Sequence, residues 1–313
     1  MNSALSVVVV TYNHEKYITK CLDSILEQKT NFQYEIVVAD DCSTDGTVEV
    51  IRRTYGKQIK VLERKSNVGL CQNIYEAYHC VQGKYIFDCS GDDYLPTDNV
   101  LQKHVDFLEK HLEYYSVSNW ILFSNEVTGE KRISEIHYSE YTLLDFLRGI
   151  PNLSYMGTIR NTFSTDNPEY LCKASKNNEE IQMLYYVLGK GKKAIIPEAM
   201  YAYCYRKSEE GENYCSQNSS LKILADYAKG FSAVEKIDKK KHKFDIVKMT
   251  IYGKYIDKIC EEKDWNSLFR VFSILKWREI LSFITLKVIV KLNNYQIPQF
   301  LLSEKRLIKD AGS

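Results

Sequence analysis

The sequence carries no bias of charge: 42 Lys and Arg face 41 Asp and Glu, a formal charge of +1. No global basic field favours nucleic acid, and no acidic excess marks a solvating tail. Long apolar runs are missing too. The longest charge-free apolar stretch near the C-terminus, Ile280 to Leu286, falls far short of the roughly 18 residues a membrane span needs. The chain enters Leu5-Ser6-Val7-Val8-Val9-Val10 with no basic region and no small-residue cleavage site before it, so no signal peptide is expected. The nine cysteines, an odd number, include no CxxC pair. That disfavours a disulfide framework and a zinc site, and a reduced, cytoplasmic compartment is expected.

What is present is an ordinary globular composition, 44% hydrophobic and 27% charged over 313 residues. That length fits one large α/β unit with an appendage, or two domains. Leu5–Thr11 is an almost unbroken apolar run, suited to a strand covered on both faces. Tyr17, Ile18, Cys21, Leu22, Ile25 and Leu26 then fall at helical spacing, with Asn13 as the expected N-cap. The alternation continues with a strand at 34–39, a helix around Val48–Tyr55, a strand at 59–62, a helix over Leu70–Val81 and a strand from Tyr85. A further helix is expected at Val100–Leu108, a strand at Val117–Phe123 and a loop over 124–140. Ile181–Leu188 reads as helix, Lys193–Ile196 as strand, and the chain from Ser220 as mostly helical. Such alternation predicts parallel strands and right-handed crossovers, hence an open, doubly wound sheet.

In sheets of this kind ligands bind beyond the carboxyl ends of the strands. Three polar clusters fall there: Thr11-Tyr12-Asn13, Asp40-Asp41, and Ser90-Gly91-Asp92-Asp93. Strand one is not followed by GxGxxG, which disfavours NAD and FAD, and the phosphate loop GxxxxGK[ST] is absent. A bound diphosphate would then need its charge neutralised another way, and adjacent carboxylates holding Mg²⁺ or Mn²⁺ offer one. Each cluster also has a local explanation. Asp40-Asp41-Cys42-Ser43 fits an Asx-turn and helix cap, and Gly91-Asp92-Asp93 a turn before Pro96.

In this order, Val7 to His14, Glu35-Ile36-Val37-Val38-Ala39-Asp40-Asp41-Cys42-Ser43-Thr44-Asp45-Gly46-Thr47, Asn67-Val68-Gly69 and Gly83-Lys84-Tyr85-Ile86 leading to Gly91-Asp92-Asp93-Tyr94 resemble family 2 glycosyltransferases. The resemblance is strong over residues 5–125 and weak over 170–216. It implies an inverting, nucleotide-sugar-dependent enzyme with the GT-A fold, a Rossmann-like, doubly wound, mostly parallel sheet with a C-terminal helical region. Residues 1–219 would form the catalytic domain (nucleotide half about 1–125, acceptor half about 126–219), and 220–313 the helical region. Thr11, Tyr12, Asn13, Asp40, Asp41 and Asn67 would line the nucleotide pocket, the second Asp of the pair contacting uracil. Asp92, with Asp93 beside it, would contact a Mn²⁺ or Mg²⁺ ion. The usual first acid of the DxD element falls at Ser90, and Asp88, on the same strand face, would compensate. By the same resemblance, Glu180 would be the general base, with Glu179 as the alternative. Acids at a helix start also suit the helix dipole without any catalytic role. Arg206 would reach the diphosphate, and a polar lid would span 208–220.

The C-terminal segment 268–313 holds eight basic and three acidic residues beside an apolar set that includes Leu268, Phe272, Trp277 and Phe283. This fits contact of 268–292 with an anionic membrane surface, or packing on the catalytic domain; pairing with a second copy is a further alternative. The resemblance implies transfer of a sugar from a nucleotide diphosphate donor, UDP-type favoured, to a hydroxyl of a glycan or lipid-linked acceptor. The expected setting is bacterial surface polysaccharide synthesis at the inner face of the membrane, with no nucleic acid involved. Two alternatives stand beside it: a non-catalytic protein that binds sugar nucleotides or scaffolds, and a nucleotidyltransferase-like enzyme.

Overall fold

In this computed structural model the described residues are 4–152, 157–173, 175–176, 178, 180–205, 218–238, 243–281 and 308–310. Residues 208–217 of the lid expected over 208–220, together with Arg206, Glu179 and the C-terminal stretch 282–292, lie outside them.

The N-terminal half follows the expected alternation closely. Strands β1 (Leu5–Thr11), β2 (Tyr34–Asp40), β3 (Lys60–Glu63) and β4 (Tyr85–Ser90) alternate with helices α1 (Ile18–Leu26), α2 (Thr47–Tyr55) and α3 (Leu70–His79), and α4 (Val100–Lys110) follows. β1 lies between β2 and β4 with parallel pairing to both, and all seven of its residues are buried. Its odd and even residues serve different cores. Val7 and Val9 pack with α1 and α4, whereas Val8 and Val10 pack with Ile74, Ala77 and Tyr78 of α3. That two-sided burial explains why the strand is written as an unbroken apolar run.

The second half is mixed. Strand β5 (Tyr114–Asn125) is flanked by β6 (Lys131–Ser134), then come β7 (Glu140–Tyr141), β8 (Thr158–Arg160) and β9 (Lys192–Tyr205). The short helices α5 (Leu143–Leu147), α6 (Phe163–Asp166) and α7 (Tyr170–Lys173) precede α8 (Glu180–Lys190). With β10 (Ile308–Asp310) the described residues form a ten-stranded sheet in the order β10-β6-β5-β8-β4-β1-β2-β3, with β9 parallel to β5. β8 runs antiparallel to both β4 and β5, so β4, β5 and β9 all point their carboxyl ends the same way.

Three local expectations are corrected. Segment 124–140 is not a plain loop, because β6 pairs antiparallel with β5 through Ile121–Ser124; its mixed, half-exposed residues hide the strand. The strand expected at 193–196 is only the start of β9, which runs on to Tyr205 past register shifts around Trp120 of its partner, where Pro197 stands. Asn13 does not cap α1. Its backbone is left-handed, with φ 58°, and its side chain turns to the loop after β2.

Beyond residue 218, helix α9 (Ser220–Ile237) packs on α8, and α10 (Asp245–Glu261) and α11 (Trp265–Ile274) stack on α9 and on each other. Ser219 and Asp264 cap α9 and α11 by accepting from Lys222 N and Ser267 N. Their core is shared with the sheet domain: Leu221, Phe231, Tyr252 and Val271 join Ile181, Leu184 and Ile195 in one cluster. α11 is apolar on both sides. Val271 and Leu275 face that cluster, while Trp265, Phe269, Phe272 and, just beyond, Trp277 are 59%, 76%, 50% and 67% exposed. Among the described residues no helix is long and apolar enough to cross a membrane.

Candidate active site at the carboxyl rim

The pairing register brings the three polar clusters to one edge. Thr11 stands opposite Asp40 across β1 and β2, and Val10 opposite Ser90 across β1 and β4. The ladder continues past the strand ends: Asp41 N donates to Thr11 O at 2.9 Å, and Gly91 N to Val10 O at 2.8 Å. Asn13, Asp41 and Asp92 therefore emerge side by side from neighbouring strands.

The loops after β1 and β2 brace each other. Asn13 N donates to Ser43 Oγ at 2.9 Å, and Asn13 Oδ1 accepts from Thr44 N at 2.8 Å. His14 N donates to Thr47 Oγ1 at 2.9 Å, Glu15 N to Asp45 Oδ2 at 3.1 Å, and Gly46 N to Glu15 Oε2 at 3.0 Å. Tyr12, 43% exposed, projects from this braced edge.

The two aspartates after β2 divide their work. Asp40 is buried and makes the local turn, accepting Ser43 N at 2.9 Å and the Ser43 hydroxyl. Asp41 reaches across to α3 and accepts Val68 N at 2.7 Å and Gly69 N at 2.8 Å. Burial raises its carboxyl above the ordinary range, while those two N–H groups and the Lys176 charge oppose the rise. Gly69 is needed there, since its φ is +90° and a Cβ would lie 2.6 Å from Lys176 O. Asn67, exposed beside Val68, shares the same loop.

At the end of β4, Ser90 Oγ donates to Asp92 Oδ1 at 2.5 Å, and His14 Nε2 lies 3.9 Å from the same oxygen. Like Asp88 and unlike the buried Asp93, Asp92 is half-buried. Asp93 turns away from it. Its oxygens accept from Tyr201 Oη at 2.7 Å and Cys204 N at 2.8 Å, tying the loop to β9. Asp88 sits two residues below Ser90 with Oδ1 sealed from solvent; burial pushes its carboxyl up to about 7, opposed by Tyr78 and the Cys89 N–H. Among the described residues no group of three or more His, Cys, Asp or Glu side chains is gathered as a metal site.

Glu180 opens α8. Its first turn meets α3 at the same rim: Cys71 N donates to Lys176 O at 3.2 Å, and Gln182 Nε2 lies 3.9 Å from Cys71 Sγ. The N–H of Glu180 is capped by Asn178 Oδ1 at 3.2 Å, and its Oε2 accepts the Tyr227 hydroxyl of α9 at 2.5 Å. A surface cavity of about 750 Å³ lies elsewhere, lined by Asp166, Lys173, Tyr186, Lys190 and Lys236 at the far ends of α8 and α9; none of the rim residues line it.

Sequence inspection missed His14, Lys176, Tyr227 and the buried Lys193. His14 was legible as the next residue of the first cluster. The other three lie far along the chain from the clusters and carry no local signal.

The family model described as Glycosyl transferase family 2 matches residues 6–167. The poly(ribitol-phosphate) beta-N-acetylglucosaminyltransferase TarS of Staphylococcus aureus is 30% identical over 223 residues, 67% of this chain and 37% of that protein. The hyaluronan synthase of Pasteurella multocida is 37% identical over 97 residues, 31% of this chain and 10% of that protein. The chain spans between 10% and 46% of the length of the curated relatives it matches. Among solved structures, S. aureus TarS 1-349 in complex with UDP-GlcNAc superposes with a TM-score of 0.58 at 22% identity, covering 91% of this chain and 79% of that one. The mannosyltransferase PcManGT of Pyrobaculum calidifontis, in complex with GDP-Man and Mn²⁺, gives 0.51 at 15% identity, covering 95% and 82%. These likenesses carry the GT-A fold. With more than half of its length matched by the family model and the strand-end motifs in register, this chain belongs to glycosyl transferase family 2.

Proposed function

We propose that the protein is an inverting glycosyltransferase that moves a sugar from a nucleotide diphosphate donor to a hydroxyl acceptor. The observation that carries this is the meeting of Asn13, Asp41 and Asp92 on one strand-end rim in a family 2 chain. Residues 1–219 would be the catalytic unit and 220–313 a helical region, of which α9 packs on α8. A UDP-type donor is favoured, because TarS, the relative with the longer match, was solved with UDP and with UDP-GlcNAc. A glycan or lipid-linked acceptor in bacterial surface polysaccharide synthesis fits the same relatives.

The rim suits a divalent cation of the Mg²⁺ or Mn²⁺ type. Such ions take one or two protein carboxylates and complete their shell with phosphate oxygens and water. Asp92 would supply that carboxylate, aimed by the Ser90 hydroxyl. Asp93 is engaged with β9, so it backs the ligand, while half-buried Asp88 stands below with its Oδ1 sealed from solvent. When bound, the ion stabilises negative charge on the departing diphosphate.

The chain's own groups do the rest. Thr11, Tyr12, Asn13, Asn67 and the Asp41 loop form the wall for the base and ribose, with Arg206 for the diphosphate. Glu180, with Glu179 the alternative, removes the acceptor proton as the new bond forms, worth about 10²–10⁴-fold in rate. The exposed Trp265, Phe269, Phe272 and Trp277 stripe, with the basic excess of 268–313, would rest on the anionic inner face of the cell membrane, keeping a cytoplasmic enzyme near its acceptor.

The test is nucleotide release from a panel of UDP- and GDP-sugars with Mn²⁺ or Mg²⁺, comparing wild type with Asp92→Asn and Glu180→Gln. Metal-dependent turnover lost in both variants supports the assignment. Binding without turnover in any version would make the protein a sugar-nucleotide-binding scaffold instead.

A further inference from the structure

We infer that Tyr227, contributed by the helical region, is a positioning residue that locks one oxygen of Glu180 and leaves the other to accept the acceptor's proton. The inference rests on Glu180 being the base of the proposed transfer.

The geometry is specific. Tyr227 Oη lies 2.5 Å from Glu180 Oε2, across the interface between α9 and α8. Glu180 Oε1 takes no hydrogen bond among the described residues. The phenol is held from behind by Tyr255 of α10, ring centroids 5.5 Å apart and tilted by 32°. A carboxylate on a flexible arm samples several rotamers; a donor fixed on a packed helix selects one. Burial, with Glu180 and Tyr255 nearby, keeps the Tyr227 phenol protonated far above its ordinary range, so it donates throughout the working pH range. A second group acts on the same carboxylate. Lys193 of β9 is fully buried, its Nζ donates to Asn152 Oδ1 at 3.2 Å, and Glu180 is the charge that supports its ammonium against the burial that lowers it to about 7.

In the step itself, the acceptor O–H bond breaks and its proton goes to Glu180 Oε1. The acceptor oxygen bonds to the anomeric carbon as the bond from that carbon to the diphosphate breaks, its electron pair leaving with the nucleoside diphosphate. Tyr227 transfers nothing. It fixes which oxygen is free and stabilises the anionic form of the base.

The experiment uses the full chain, following UDP release from UDP-sugars with water as acceptor, across pH. Tyr227→Phe should lower kcat by about tenfold, leave the donor KM within about twofold, and move the acid limb of kcat to higher pH. In a Glu180→Gln background the same change should add less than about twofold further loss. Lys193→Met is the second variant, should Tyr227→Phe melt below the assay temperature, and it should move the limb in the same direction. An acid limb unmoved in the folded variants, while Glu180→Gln has lost turnover, overturns the positioning role alone. A Glu180→Gln protein with wild-type kcat overturns the assignment of the base, and this inference with it.

Discussion

Ser90 donates its hydroxyl to Asp92 Oδ1 at 2.5 Å, while His14 Nε2 approaches the same oxygen at 3.9 Å. A serine thus stands where the family motif carries its first acid, and it would act on the proposed ion site through its neighbour. Removing such a supporting hydrogen bond typically costs about 10–100-fold in metal affinity. Ser90→Ala should therefore raise the Mn²⁺ concentration for half-maximal turnover by about tenfold with little change in saturated kcat. Asp92→Asn should lower kcat itself by about 10²–10³-fold at any Mn²⁺ concentration. A metal titration of nucleotide release separates the two.

Asp41 should matter to folding as well as to the donor. Its oxygens serve Val68 N and Gly69 N, so Asp41→Ala leaves two N–H groups without their acceptor, a loss of about 1–3 kcal/mol. Gly69→Ala should be destabilising too, since φ +90° disfavours a side chain and Lys176 stands in its way. Urea unfolding checks both, and a thermal-shift titration with UDP should show weaker binding in each.

His104 of α4 makes stability depend on pH. Its ring is fully buried against Thr158 Oγ1 at 2.9 Å, and burial lowers it to about 3 from an ordinary 6.5. A folded value below the unfolded one means that unfolding takes up a proton in acid. The neutral ring's stabilisation is complete above pH 6.5 and is lost as pH falls toward 3, by about 1.4 kcal/mol per unit. His104→Gln should flatten the acid side of the stability profile by that one proton, read from urea midpoints across the window.

The outward stripe of α11 predicts binding to vesicles of anionic phospholipid and little binding to neutral ones. Phe269→Glu should reduce cosedimentation by about tenfold and leave soluble turnover unchanged. If the stripe instead joins two copies of the chain, the wild type will sediment as a dimer without lipid and the variant as a monomer.

The N-terminal half was legible because its signals are local. A run such as Val7–Val10 is buried on both faces and says so, and the carboxyl rim follows from strand alternation alone. Position did not reveal division of labour. Asp40 and Asp41 are adjacent and identical in type, yet one closes a turn and the other anchors α3, a difference set by Val68 and Gly69 nearly thirty residues on. Asp93 looked like a ligand because its partners, Tyr201 and Cys204, are more than a hundred residues away. β6 was hidden by its mixed residues, and β9 by Pro197 at its irregularity. Such features come from tertiary pairing, which no local window reports.

The clamp of Asp93 by β9 also sets an order of assembly. The first four strands can emerge from the ribosome and pair among themselves, but the loop that carries Asp92 gains its second anchor only after Tyr201 and Cys204 have been translated. Closing so wide a loop is slow and entropically costly. The nascent chain thus holds the loop after β4 unfinished until β9 has docked.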